Sequence, residues 1–444
     1  MRKILKTSAP WAALLSLAAL PALAQDATAT AAAPVMDKGD VSWMMTSSAL
    51  VLFMTIPGLA LFYGGLVRAK NMLSILMQTT IIACMVMVMW VAFGYSVSFG
   101  GGTSPYWGGL AKVFLKGVDA SSMSATFSAG YVIPEYVFIC FQMTFAAITP
   151  GLIIGAWAER VKFKSVLLFM AIWTTFSYFP IAHMVWDASG LLFKLGAIDF
   201  AGGTVVHINA GIAAFVGCLV IGKRVGYGKE NMAPHSMVMT MIGASMLWFG
   251  WFGFNVGSNL EANGGAGLAM INTFIATAAA ALAWTGVEAL QRGKASMLGA
   301  ASGMVAGLVA ITPACGTIGP MGAILLGIIV SVVCYFFVTV VKNALKYDDS
   351  LDVFGVHCVG GIIGAMATGV FSAGWLGGVK GDDYSIAAQS LIQFEAVALT
   401  LVWSGVVAFV AYKLTDMIFG LRVEPDVERE GLDQASHGET AYHM

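Results

Sequence analysis

The 444-residue chain is 58% hydrophobic and only 11% charged, with a formal net charge of −1. Soluble domains are nearer a quarter charged, so this composition and a mean hydropathy of +0.82 assign the chain to the lipid bilayer. The near-neutral balance leaves no basic face for nucleic acid.

The N-terminus reads as a processing signal. Arg2, Lys3 and Lys6 form a basic region, Trp11 to Leu20 an apolar core too short to span, and Ala22-Leu-Ala24 a cleavage site. Residues 1–24 are thus expected to be a signal peptide, and 25–40 an exposed leader outside the cytoplasm. Residues 41–420 form the membrane domain and 421–444 a polar tail.

Eleven apolar runs follow the leader, at about 42–66, 71–98, 131–157, 163–184, 202–222, 236–257, 267–290, 296–313, 318–341, 353–374 and 386–420. Each approaches the roughly 20 residues that cross a bilayer as helix, so the fold class is all-α polytopic. Alternate loops carry fourteen Lys and Arg (Arg68 and Lys70 first, Lys413 and Arg422 last), against four in the intervening loops (Lys112, Lys116, Lys194 and Lys380). The rich side is cytoplasmic by the positive-inside rule, which puts the N-terminus outside and the C-terminus inside, in agreement with the leader.

Two echoes lie five spans apart. Asp199 to Gly211 (DFAGGTVVHINAG) is matched by Asp352 to Gly361 (DVFGVHCVGG), each with an acid, a Val-His pair and small residues. Ala-Ile-Thr-Pro occurs at 147–150 and again at 310–313. Five is odd, so a five-helix repeat must be inverted in the membrane, and such repeats place their site near the midplane at the repeat interface. The eleventh span stands outside the repeat. The 52 glycines suit a densely packed bundle.

His207 and His357 stand within apolar runs, where ionisable groups are costly and usually face a pathway or a protein interior. His183 reads as interfacial, His235 as a loop residue, and His437 and His443 belong to the tail. One imidazole pair without a third ligand makes a poor metal site, and a di-haem protein needs two pairs. The six cysteines have no CxxC spacing and read as small buried hydrophobes rather than a metal or disulfide framework. Each histidine lies five or six residues from its own face, roughly 9 Å deep in a core of about 30 Å. Contact between them therefore requires bent or broken helices.

An aromatic set comprises Phe141, Phe145, Trp186, Trp251 and Phe254, with Ser258 one turn on. Trp186 and Ser258 map to the outer mouth, where an indole face and a hydroxyl suit a small cation, although a tryptophan there also fits the aromatic belt. Asp199 and Asp352 read as helix caps or as electrostatic partners of a cation. Glu395 reads as structural. No GxxxxGK[ST], GxSxG or HExxH motif occurs, so neither an ATP-driven pump nor a hydrolase is indicated.

Gly58-Leu-Ala-Leu-Phe-Tyr-Gly-Gly65, Ala182-His-Met-Val-Trp186, Asp199 to Gly211, Trp251 to Ser258, Thr312-Pro-Ala-Cys-Gly316 and Asp352 to Gly361 together resemble the bacterial branch of the ammonium transporter (Amt/Mep/Rh) family. So does the tail from Gly420 to Leu432. The resemblance spans residues 41–444 and implies eleven helices, an inverted five-helix repeat and a homotrimer with one pore per subunit. It implies an ammonium recruitment site at Trp186, Phe145 and Ser258. It further implies a ring gate of Phe145 and Phe254 flanked by Phe141 and Trp251, hydrogen-bonded pore histidines His207 and His357, and Asp199 as a supporting acid. A PII-type signal protein at the cytoplasmic face is the implied regulator. No cofactor, metal or enzymatic step is implied, and the location is the cytoplasmic (inner) membrane. An ammonium sensor whose transport is incidental and a membrane redox protein with the histidine pair as haem ligands are the competing readings. The 24 residues after Gly420 are few for a signalling domain.

Overall fold

The computed structural model describes residues 33–442; the expected cleavage after Ala24 and His443 lie outside the described residues. Among the described residues, ten helices are long and apolar enough to cross a membrane. They are α1 (Lys38–Leu66), α2 (Ala69–Phe99), α3 (Glu135–Trp157), α4 (Phe163–Leu195), α5 (Gly203–Ile221), α6 (Met237–Val256), α7 (Gly264–Arg292), α9 (Pro320–Leu345), α10 (Phe354–Phe371) and α11 (Ile386–Phe419). The remaining expected span, α8 (Met297–Ile311), has 15 residues, about 22 Å of helix and short of a full crossing.

Local chemistry sets the starts. Asp37, Ser236, Asn263, Ser296 and Ser385 each accept a backbone N–H from the first turn of the helix they precede, which satisfies donors that a helix leaves unpaired. Capping by Asp37 starts α1 at Lys38, inside the stretch expected as leader. Asp40 is buried there and accepts the N–H of Ala262 at 2.7 Å. A small sheet covers this N face, with β1 (Val35–Met36), β2 (Met123–Ala125) and β3 (Tyr131–Pro134) in the order β1-β3-β2.

One widened π-helical turn, Trp90–Gly94 in α2, has no counterpart in α7; the other turns of this kind in the membrane helices interrupt the bundle in matched places. They occur at Met54–Leu59 in α1 and Phe252–Val256 in α6, at Thr174–Tyr178 in α4 and Phe337–Val341 in α9, and at Gly203–Ile208 in α5 and Phe354–Cys358 in α10. Each pair is five helices apart, as the sequence echoes require. The widened turn of α1 packs on α6 and that of α6 packs on α1. Helix α11 lies outside this pairing and packs along α4, α5 and α10. Small residues permit these crossings: a Cβ on Gly211 would lie 2.5 Å from the backbone nitrogen of Cys358, and one on Gly364 would lie 2.3 Å from the Ala310 carbonyl oxygen.

The opposite face carries the C-terminal segment, which is strapped down. Leu421, Val423 and Leu432 are buried. Asp433 accepts the N–H groups of Leu73 and Ser74 at 3.0 and 2.7 Å, and α12 (Pro425–Glu430) supplies Glu428 to Arg422 at 2.7 Å and to the Val225 N–H at 2.6 Å. Beneath it lies a buried ion network. Arg224 bridges Glu159 (3.1 Å) and Asp348 (2.8 Å), while Arg160 donates to the carbonyls of Ala156, Ala158, Gly222 and Asp348 and to Ser350 Oγ. Burial opposes ionisation of Glu159, yet Arg224 and Arg68 outweigh it and hold that carboxyl below its ordinary range.

Asp349 titrates the other way. Burial, reinforced by Asp352 and only partly offset by Lys342, pushes its carboxyl up to about 6. The folded state therefore binds this proton more tightly than the unfolded chain, so stability rises as pH falls through 6 and the gain is complete below the ordinary value of 3.8. Asp349→Asn keeps an acceptor for the Phe354 N–H and removes the titration. Melting of purified protein from pH 7.5 to 4.5 is expected to show a smaller acid-side gain in the variant than in the parent; parallel curves would refute the assignment.

Candidate functional site

Residues i and i+4 share a helix face, so α3 presents Phe141 and Phe145 together, with ring centroids 4.9 Å apart. The widened turn of α6 brings Phe254 flat against Phe145, at 4.0 Å between centroids and 19° between planes. Trp186, at the break near the end of α4, meets Phe145 edge to face at 5.7 Å and 86°. On the N face these groups open into a cavity of about 650 Å³ lined by Phe141, Gln142, Phe145, Trp186, Asp199 and Ser258 among others.

Behind the stacked rings lies a second, narrow cavity of about 10 Å³. Apart from His207 and His357 its lining is hydrocarbon and aromatic, including Leu59, Phe62, Val206, Trp251 and Phe254. A third cavity, of about 130 Å³, follows toward the tail face and includes Phe62, Val305, His357 and Asp352 in its walls. The three lie in series. Phe145 faces the first, Phe254 the second, and His357 borders both the second and the third.

The two histidines are in contact. Their Nδ1 atoms are 3.2 Å apart, with rings 5.3 Å between centroids and 19° between planes. Both occupy the widened first turns of α5 and α10, and those turns begin inside the protein rather than at its surfaces; this removes the depth problem that straight helices would impose. His207 also stacks on Trp251 at 5.5 Å, and the Trp251 indole N–H is held by Thr312 Oγ1 at 2.8 Å. His207 Nε2 is buried and has no hydrogen-bond partner. Two neutral imidazoles facing through Nδ1 share one proton, so one Nε2 must carry hydrogen and the other must be bare.

Asp199 makes the interior start of α5 possible. Its carboxylate accepts four backbone N–H groups, from Gly202, Gly203, Thr204 and Val205, at 2.6 to 3.0 Å. Its carbonyl holds the Trp186 indole N–H at 2.9 Å. Asp352 does not repeat this arrangement. It pairs with Lys342 at 2.5 Å, and Asp349 caps α10 through the Phe354 N–H at 2.8 Å. The capping acid keeps its spacing, since Asp349 stands eight residues before His357 as Asp199 stands eight before His207; the acid expected from sequence, Asp352, is five residues before His357 and has a left-handed backbone (φ 60°).

Ser258 Oγ donates to the Phe254 carbonyl at 2.8 Å, so its oxygen stays open as an acceptor. His183 is not interfacial: it is fully buried, with its ring nitrogens on the carbonyls of Ser98 (2.7 Å) and Ser104 (2.8 Å). Glu395 is exposed on α11. Cys84 and Cys140 are exposed as well, so only the other four cysteines follow the buried expectation. Among the positions not singled out from sequence, Gln393 holds both backbone groups of Ile198 and the Ala365 carbonyl. Two amides one turn apart at the head of α11, Gln389 and Gln393, are its only signal in the sequence.

A family model described as the Ammonium Transporter Family matches residues 42–442. An ammonium transporter of Aquifex aeolicus is 46% identical across 92% of this chain and 94% of its own length, and one of Bacillus subtilis is 45% identical across 92% and 99%. Among solved structures, Candida albicans Mep2 superposes with a TM-score of 0.81 at 34% identity, covering 88% of this chain and 87% of that one. A protein described as a sensor Amt protein gives 0.82 at 28% identity, covering 90% and 98%. With its helical fold, its paired histidines and these matches taken together, the chain belongs to the ammonium transporter family.

Proposed function

We propose that this protein recruits ammonium in the N-face cavity, removes a proton there, and passes ammonia through the ring stack and along the His207–His357 pair. The observation carrying this reading is the sequence of compartments: a wide, mostly apolar vestibule with Gln142, Asp199 and Ser258 in its wall, a stacked aromatic closure, then a lumen whose only polar lining side chains with a free atom are imidazoles. Trp186 has spent its N–H on Asp199, so it offers the cation its ring face, and Ser258 offers an oxygen. Carrying the charge inward would cost far more than carrying the neutral amine, because a desolvated cation loses its hydration without compensation. Phe145 and Phe254 must swing apart to admit ammonia. Beyond them the histidine pair supplies an acceptor and a donor to a solute otherwise surrounded by hydrocarbon. Asp199 serves this site by holding α5 and Trp186, with its carboxylate committed to backbone.

In this reading the N face is outside and the strapped tail in the cytoplasm, which the charge asymmetry of the loops supports. A homotrimer with one pore per subunit in the inner membrane, and a PII-type signal protein seated on the tail face, complete the reading. No bond in the substrate other than N–H is made or broken.

Purified protein in liposomes under an inward ammonium gradient, with an internal pH dye and current recorded on a solid-supported membrane, tests it. Internal alkalinisation without current means ammonia crosses and its proton stays behind. A sustained current that vanishes in the His207→Ala, His357→Ala double variant means the proton follows separately along the pair. Signals no larger than those of empty liposomes would refute transport.

A further inference from the structure

Gln142 is a residue of the vestibule that neither the aromatic pattern nor the histidine echo points to. It lies on α3 between Phe141 and Phe145 and lines the same cavity as Trp186 and Ser258. Its side chain is only 9% exposed, and its Oε1 is buried with no hydrogen-bond partner. Buried polar atoms are nearly always satisfied, and an orphan at a cavity wall marks a place for a ligand. The terminal amide torsion of glutamine is broad and roughly two-fold, so a half-turn exchanges the amide nitrogen and oxygen and turns the oxygen to the cavity.

An ammonium ion has four N–H donors and no acceptor. Of the polar groups around the ring stack, the Trp186 N–H is spent on a carbonyl and the Asp199 carboxylate on four amides, whereas Ser258 Oγ is free to accept. We infer that Gln142 is a specificity-determining ligand of the ammonium site, its carbonyl oxygen accepting one N–H of the cation alongside Ser258. This rests on the vestibule reading above. Methylammonium keeps three donors for these two acceptors, but its methyl group must be turned away from both oxygens, so a polar group at residue 142 favours the cation whose every face carries a donor.

Gln142→Leu replaces the acceptor by hydrocarbon of similar size, which a methyl group can pack against. In proteoliposomes, KM for ammonium is expected to rise about tenfold, the scale of one hydrogen bond to a charged group. KM for methylammonium should change by no more than about twofold, so that discrimination between the two substrates narrows. Gln142→Asn, with an amide set back by one methylene, should fall between parent and leucine variant. A parallel rise for both substrates would mean that Gln142 only shapes the helix, and the inference fails. Unchanged KM values in Gln142→Leu while Ser258→Ala weakens ammonium also refute it, leaving the vestibule intact. If neither variant changes KM, the vestibule reading itself falls. Monodisperse elution of each variant separates these outcomes from misfolding.

Discussion

His207→Leu is expected to reduce ammonium flux by about tenfold to a hundredfold in proteoliposomes while the protein still elutes as the parent does. The lumen behind Phe254 is walled by aliphatic and aromatic groups, and leucine would remove one of its two hydrogen-bonding side chains. A polar solute moved into hydrocarbon without a partner loses roughly 2–7 kcal/mol, with protein data at about 1–3, and the lower figures already give the stated range. The substitution also strands His357 Nδ1, whose partner is His207 Nδ1 at 3.2 Å, and leaves Trp251 without the imidazole stacked on it at 5.5 Å. Assembly should survive, since leucine fills the space with an apolar group and the close backbone approaches near His207 are made by Gly203, Gly211 and Gly361. Flux within twofold of the parent, with ammonium selectivity unaltered, would remove the pair from any pore role.

That pair was legible because a Val-His dipeptide followed by small residues recurs at a fixed place in two apolar runs, and helix periodicity turns such an echo into repeat positions. Contact between the rings was not legible. It depends on Asp199 gathering four amides and on Asp349 capping α10, both of which let a helix begin in the interior. Periodicity reports which face is buried and says little about where in depth a helix starts. The acid echo is a different case: Asp349 stands eight residues before His357 as Asp199 stands eight before His207, so the capping acid is in register in the sequence, whereas Asp352, five residues before His357, is not and pairs with Lys342. His183 sits at a run's end, where the sequence predicts an interfacial histidine, whereas the loop holding Ser104 folds back over it and supplies a second carbonyl. The tail's composition marked it as polar. Its docking through Leu432 and Asp433 onto the start of α2 is a tertiary event with no local signature. Gln142 was passed over because it lies within an aromatic run, where the rings on either side drew the chemical reading.

Asp199→Ala carries the largest expected cost to the fold. Alanine leaves the N–H groups of Gly202, Gly203, Thr204 and Val205 without acceptors in a wholly buried turn. Each stranded buried donor costs about 1–3 kcal/mol, so the total is of the order of 4 kcal/mol or more, a large share of the roughly 5–15 kcal/mol that holds a typical domain together. Ordinary surface caps are worth about 0.5–2 kcal/mol; water replaces the lost acceptor there and cannot readily do so here. Gly202 adds to the demand, since its backbone (φ 110°) lies where other residues are strained and the turn has no easy alternative path. Asp199→Asn retains one carbonyl oxygen and should keep part of the network, giving a melting temperature between those of alanine variant and parent. The Trp186 contact is to the Asp199 backbone carbonyl at 2.9 Å, so an asparagine variant that folds should bind ammonium with a KM near the parent's. A marked rise in KM in that variant, with melting unchanged, would transfer Asp199 from support to direct electrostatic contact with the cation. An alanine variant melting with the parent would show that the four amides find other partners, and the interior start of α5 would then need another cause.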